Sequence, residues 1–228
     1  MAKTLGDLKD QIVSDLRRTN LGPEIAAAIP TAIRDHDSER FWFNQTYPQA
    51  YALTISANGG IPSDTVSSAR GDCYALNPQQ GYQEFIMIDT VRAQLSPPLG
   101  VWYTVKQTDW QTVEHYYSTL SNGQPSWWAT ENGCLRIYPL PPPGQSYPLR
   151  IFGHVRLIPL AADTDQNAWT NAGFDLIRYT VLKRLYSFPI RDAAQVQNAE
   201  QAGARCLDYL RRETSRRVRK NRMKAYYG

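Results

Sequence analysis

Leu5, Leu8, Ile12 and Leu16 recur at spacings of three and four, which is the period of an amphipathic helix. Thr4, followed three residues later by Asp7, is a short form of capping box at its start. Thr19-Asn20-Leu21-Gly22 breaks the stripe. Pro23 then suits the first turn of a second helix, and Glu24 suits the positive end of its dipole. That helix carries Ile25, Ala28, Ile29, Ala32 and Ile33, and Pro30 is expected to kink it or split it in two. Asp35, Asp37 and Glu39 alternate with Arg34 and Arg40, the pattern of a solvated face. Phe41-Trp42-Phe43 follows at once. Three consecutive rings cannot all enter one core, so they cap it from two sides or anchor a neighbouring subunit.

From about residue 47 to 160 the helical period gives way to short alternating runs. Strands are expected at 51–55, 72–76, 84–89, 101–105, 126–129, 134–138 and 149–155, with a short helix inside 109–120. Asn58-Gly59-Gly60, Asn122-Gly123 and Asn132-Gly133 are turn signals, because Asn and Gly tolerate positive φ. The last of these points to a hairpin. No strand–helix–strand repeat stands out, so the middle reads as an antiparallel sheet or small sandwich. Helical spacing returns with Trp169, Phe174, Ile177, Val181, Leu182 and Leu185, stops at Pro189 and resumes near Asp192. The Asp163-Thr164-Asp165 run lacks the further ligands of a calcium loop and reads as helix capping.

The final helix changes character along its length. Ala193, Val196, Ala199, Gly203, Cys206, Leu207 and Leu210 form an apolar face, after which RRETSRRVRKNRMKAYY is basic. Residues 205–224 hold nine Arg or Lys against Asp208 and Glu213, a local net of +7 in a chain whose formal charge is +4. The remainder therefore sums to −3, and the basic character belongs to one segment. The expected fold is α+β: a helical bundle of N- and C-terminal helices (1–46 and 161–210), an inserted antiparallel β-rich lobe (47–160) and an extended basic C-terminal arm (211–228). Arg211, Arg212, Arg216, Arg217, Arg219, Lys220, Arg222, Lys224, Tyr226 and Tyr227 are the candidate binding residues of that arm. Charge alone leaves two partners for it, nucleic acid phosphates or an acidic groove on another protein.

At 228 residues, 42% hydrophobic and 20% charged, the chain can bury a substantial core. Cys73, Cys134 and Cys206 are far apart, which argues against a disulfide framework and for a reducing compartment. The polar start and the lack of a long apolar run argue for synthesis in the cytoplasm without a membrane anchor. His36, His115 and His154 are isolated, and no phosphate loop, nucleophile elbow, zinc spacing or dinucleotide fingerprint is present. The expectation is a protein without enzymatic activity, metal or cofactor.

The opening TLGDLKDQIVSDLRRTNLGPEIAAAIPTAIRDHDSERFWFNQ resembles the start of tailed-bacteriophage head–tail adaptor proteins. Leu5, Leu8, Ile12, Leu16 and Leu21 match the first helix of that family. Ile25, Ile29, Ala32 and Ile33 match the second, and Glu39, Arg40, Phe41, Trp42, Phe43 and Asn44 match the segment that follows it. Gly123-Gln124-Pro125 and Gly133-Cys134-Leu135-Arg136-Ile137-Tyr138-Pro139-Leu140-Pro141 resemble its hairpin, and Leu160 with Trp169 its link into the C-terminal helices. Pro30 and the section 58–72 depart from the pattern. The resemblance implies a structural adaptor of the virion neck that forms a ring, usually of twelve, beneath the portal protein. Such a ring extends the channel for genomic DNA without binding it specifically, and it offers a docking surface to the tail or next neck protein. It also implies that the C-terminal arm reaches into the portal. The competing reading is a nucleic-acid-binding protein that grips phosphates with the basic helix.

Overall fold

The computed structural model describes residues 2–46, 50–56, 73–75, 82–95, 100–117, 122–131 and 134–226. The expected turns at 58–60 and 132–133, the section 58–72 and Tyr227 lie outside the described residues. The chain is α+β and divides into two compact units, residues 1–44 with 157–228, and residues 45–156.

The first unit is helical. Helix α1, Leu5–Leu16, buries Leu5, Leu8, Ile12 and Leu16, the stripe that the spacing predicts. Its capping box is complete: Asp7 N–H donates to Thr4 Oγ1 at 3.1 Å and Thr4 N–H donates to Asp7 Oδ2 at 2.8 Å. Those bonds hold the Asp7 carboxyl below the usual carboxylate range. Two further N–H groups of the first turn, on Leu5 and Gly6, donate to the carbonyls of Asp165 and Asp163. The Asp163-Thr164-Asp165 run thus caps a helix through its backbone, and the helix is α1, some 160 positions away, while Asn167 caps the helix next to it. Arg17 closes α1 in the left-handed conformation, φ 51°.

Helix α2, Gly22–Asp35, runs through Pro30 as one element, so of the expected kink or split the split does not occur. Pro30 lies on the exposed side between buried Ile29 and Ala32. The carbonyl that its ring frees is that of Ala26, an exposed residue where solvent can take the place of the lost bond, while packing on both sides holds the helix together. The solvated-face reading of Asp35, Asp37 and Glu39 is also corrected. Asp35 pairs with Arg184, Glu39 pairs with Arg211, and Asp37 is buried.

After a short α4, Ala168–Asn171, helix α5, Phe174–Leu185, is the centre of this unit and packs against α1, α2, α4 and the final helix. Ile177 and Val181 are fully buried on it, each contributing roughly 1.5–3 kcal/mol by burial. Arg178 of α5 clamps Asp15 of α1 with two nitrogens, at 2.5 and 2.8 Å. A kinked segment, Tyr186–Ile190, in which Phe188 is extended (φ −160°, ψ 128°), holds Pro189 and precedes helix α6, Ala193–Tyr226.

The second unit is a seven-stranded sheet in the order β1-β7-β3-β4-β5-β6-β2. The strands are β1 Tyr51–Ser56, β2 Cys73–Ala75, β3 Tyr82–Gln94, β4 Trp102–Gln107, β5 Trp127–Glu131, β6 Cys134–Tyr138 and β7 Ser146–Leu157. The hairpin expected around residues 132–133 is present, with Glu131 opposite Cys134. The antiparallel expectation fails between β4 and β5, which run parallel. Between them lies helix α3, Trp110–Tyr117, so the connection is long enough for a crossover and makes one strand–helix–strand unit. At the Asn122-Gly123 turn signal, Asn122 bridges to Leu140, and Gly123 N–H donates to the Leu140 carbonyl.

The sheet curls so that inward residues of six strands share one cluster, among them Ile55, Leu149, Val91, Val105, Trp128 and Ile137. Trp128 completes its burial by donating its indole N–H to the Val105 carbonyl at 3.2 Å. On the other face, α3 covers only the β5–β6 half, where Val113 packs with Ala129 and Tyr138 and Arg136 lies over the Trp110 ring.

Candidate functional site

The basic half of α6 and the Phe41-Trp42-Phe43 segment come together within the helical unit. The turn that carries the three aromatics is built by Asn44, which is almost wholly buried. Its Oδ1 accepts from Phe41 N–H at 2.8 Å and its Nδ2 donates to the Glu39 carbonyl at 2.8 Å. This turn, and not a helix end, sends the rings in two directions. Phe41 is fully buried and stacks on Phe43, with centroids 5.2 Å apart, and both meet the edge of Trp169 at 5.9 and 5.1 Å. Trp42 meets the edge of Phe43 at 5.1 Å and also reaches α6.

There Trp42 meets the basic helix directly. Its backbone N–H donates to Thr214 Oγ1 at 3.3 Å, and the Arg217 guanidinium lies 4.3 Å over its ring. Thr214 is buried on α6 one turn beyond Leu210, so the apolar face extends further than the pattern predicts. Glu39, just before the aromatics, receives two donors from Arg211, one at 3.1 Å. Glu213 accepts from Arg216 at 2.7 and 2.8 Å and from Arg217 at 2.7 Å, which holds its carboxyl down to about 2. Arg212 pairs with Asp208 at 2.5 Å.

Arg211, Arg212, Arg216 and Arg217 therefore all have partners within the chain. Arg219, Lys220, Arg222, Lys224 and Tyr226 lie on the last turns of α6, and their side chains, like the whole of Tyr227, lie outside the described residues. Sequence reasoning missed Glu39, Asn44, Glu213, Thr214 and Trp169 as members of this cluster. Glu213 could have been found, because it stands three and four positions before Arg216 and Arg217. Nothing local announces that Glu39 meets Arg211 from 172 positions away.

A groove of about 680 Å³ runs along the same helix, lined among others by His36, Tyr179, Thr180, Phe188, Gly203 and Leu207. Phe188 on its rim is largely exposed. His36 Nε2 bonds Thr180 Oγ1 at 3.0 Å, and burial pulls the imidazole below its usual range. Among the described residues no group of histidines, cysteines and carboxylates is arranged to hold a metal ion, and no helix is long and apolar enough to cross a membrane. The cluster offers charge and aromatic surface.

In comparison with known proteins, the family model of the SU10 adaptor protein matches residues 3–224. No curated protein matches the chain.

Proposed function

The chain belongs to the SU10 adaptor protein family, a family of phage head–tail adaptors, and from that premise we propose that it forms a ring beneath the portal and extends the DNA channel. A structural adaptor role, interaction with portal and tail proteins, and a place in the virion neck follow from the family. The finer assignment is ours. The helical units pack side by side around the ring, using the groove along α6 and the exposed Phe188, and the end of α6 inserts into the portal. The sheet-rich unit is the docking side for the tail.

One observation carries the portal assignment. Helix α6 continues for 34 residues as one element, about 51 Å at 1.5 Å per residue, and its buried positions end near Thr214. Between Arg211 and Arg217 the arginines tie α6 to Glu39, Trp42 and its own Glu213. This stretch acts as a mount, and 219–227 become the portal-binding segment. The proposal narrows the binding arm to Arg219, Lys220, Arg222, Lys224, Tyr226 and Tyr227, with Arg211, Arg212, Arg216 and Arg217 supporting it. Binding energy does the work throughout. Cryo-electron microscopy of the assembled neck tests it. The expected map shows the ends of twelve copies of α6 in clefts between portal subunits, and α6 ends lying free in the channel would overturn it.

A further inference from the structure

The face of the sheet that α3 leaves open carries three exposed cations, with Asp89 of β3, next to buried Ile88, the exposed carboxylate nearest to Arg92 along that strand. Arg150 is exposed between buried Leu149 and Ile151, Arg92 between buried Val91 and Ala93, and Lys106 follows buried Val105. Strand alternation therefore turns all three away from the core. The contacts agree. The Arg150 guanidinium of β7 lies 4.1 Å over the Trp102 ring of β4, and the Arg92 guanidinium of β3 lies 5.7 Å over the Phe152 ring of β7. Trp102 and Lys106, an even number of positions apart on β4, share that face. Arg92, Lys106 and Arg150 have no ion pair among the described residues.

We infer that this face of β7, β3 and β4 is a second, sequence-independent binding surface for the phosphate backbone of duplex DNA, carried by Arg92, Lys106 and Arg150. A guanidinium held over a ring is already partly ordered, so it loses less freedom when it meets a phosphate. Neighbouring strands are about 4.8 Å apart, and Lys106 stands two positions along β4 from Thr104, the partner of Arg92, so the three cations are spread far enough to meet separate phosphates. The chemistry favours nucleic acid over an acidic protein. A protein interface needs apolar anchors at its centre, whereas here the two rings are already covered by cations, and a polar, positively charged face is what DNA interfaces present. The choice of duplex DNA rests on the adaptor reading, in which the genome passes this protein. The cations themselves do not depend on it.

The test uses the full chain and a labelled 20-base-pair duplex, titrated by fluorescence anisotropy between 20 and 200 mM salt. Neutralising three phosphate contacts in the triple variant Arg92→Gln, Lys106→Gln, Arg150→Gln should make the slope of log affinity against log salt shallower by about 2.7. Between 50 and 200 mM the wild type should therefore lose about 40-fold more affinity than the variant. The charge-conserving pair Arg92→Lys, Arg150→Lys should keep the wild-type slope, which separates charge from folding. An unchanged slope in the triple variant overturns the inference, as does displacement of the duplex by poly-glutamate of equal charge at equal concentration. Sedimentation with portal protein, run on the same preparations, reads the adaptor assignment separately. Wild-type protein that sediments with portal but binds DNA indifferently to the three substitutions refutes the surface alone. Protein that shows the DNA effect and ignores portal refutes the adaptor role alone.

Discussion

Arg216 and Arg217 on α6 donate to Glu213, and Arg211 donates to Glu39, whereas Arg92 and Arg150 on the open sheet face lie over rings and form no ion pair among the described residues. Residues 205–224 account for +7 and the rest of the chain for −3, so a count of charges puts the binding surface on the helix and none on the sheet. The geometry reverses part of that ranking. A run of like charge on a helix draws its own counter-charges from i+3, i+4 and distant positions. A near-neutral unit can instead sort its few cations onto one face by strand alternation. Density of charge along the chain and availability of charge in space are different quantities.

Four results would break or sharpen this contrast, beginning with the largest. Asn44→Ala removes the acceptor for the buried Phe41 N–H and the donor to the Glu39 carbonyl, and should cost about 3 kcal/mol in urea unfolding. It should also loosen Trp42 from α6, so that the arginines lose their seat. Next, a double-mutant cycle of Trp42→Ala with Arg217→Gln should give a coupling of about 0.5–1 kcal/mol, and the cycle of Trp102→Ala with Arg150→Gln should match it. Coupling in only one of the two would show that the rings do not hold their guanidiniums alike. The pair Arg216→Gln, Arg217→Gln should change the DNA salt slope by less than about one unit, against about 1.8 for Arg92→Gln with Arg150→Gln. Equal changes would erase the distinction between the regions.

The smallest effect is on pH. Glu213 is held down to about 2 by Arg216 and Arg217, so what it contributes is fully present above its ordinary value near 4.5 and is lost as pH falls through about 2. A carboxyl NMR titration should place its midpoint near 2, and a midpoint near 4.5 would mean that the two arginines are not bound to it.

Local chemistry was legible where one segment decides its own structure. The Thr4–Asp7 capping box, the stripe of α1 and the hairpin of β5 and β6 all follow from neighbours within a few positions. The failures share a cause in tertiary context. Pro30 stays inside α2 because Ile29 and Ala32 are packed on either side of it. The parallel β4–β5 pair depends on where α3 lets the chain return. Asp35 and Glu39 look solvated until α5 and α6 bring Arg184 and Arg211 to them. At the candidate site the basic residues were legible as a run, and their role as a mount was not, because that role depends on Glu39, Asn44 and Thr214 arriving from elsewhere. The cationic sheet face was hidden more deeply. Arg92, Lys106 and Arg150 are 14 to 58 positions apart, and only the strand order places them side by side.

The central claim is that the last turns of α6 seat the protein in the portal while 211–217 hold the helix in place. Removing residues 219–228 leaves Arg211, Arg212, Arg216 and Arg217 with all their partners, so the truncated protein should melt like the full chain. The decisive measurement is co-sedimentation of that truncated protein with portal rings, beside the full chain at the same concentration. The account predicts that the full chain sediments with the portal and the truncated protein stays in the supernatant. Equal sedimentation of both would contradict it.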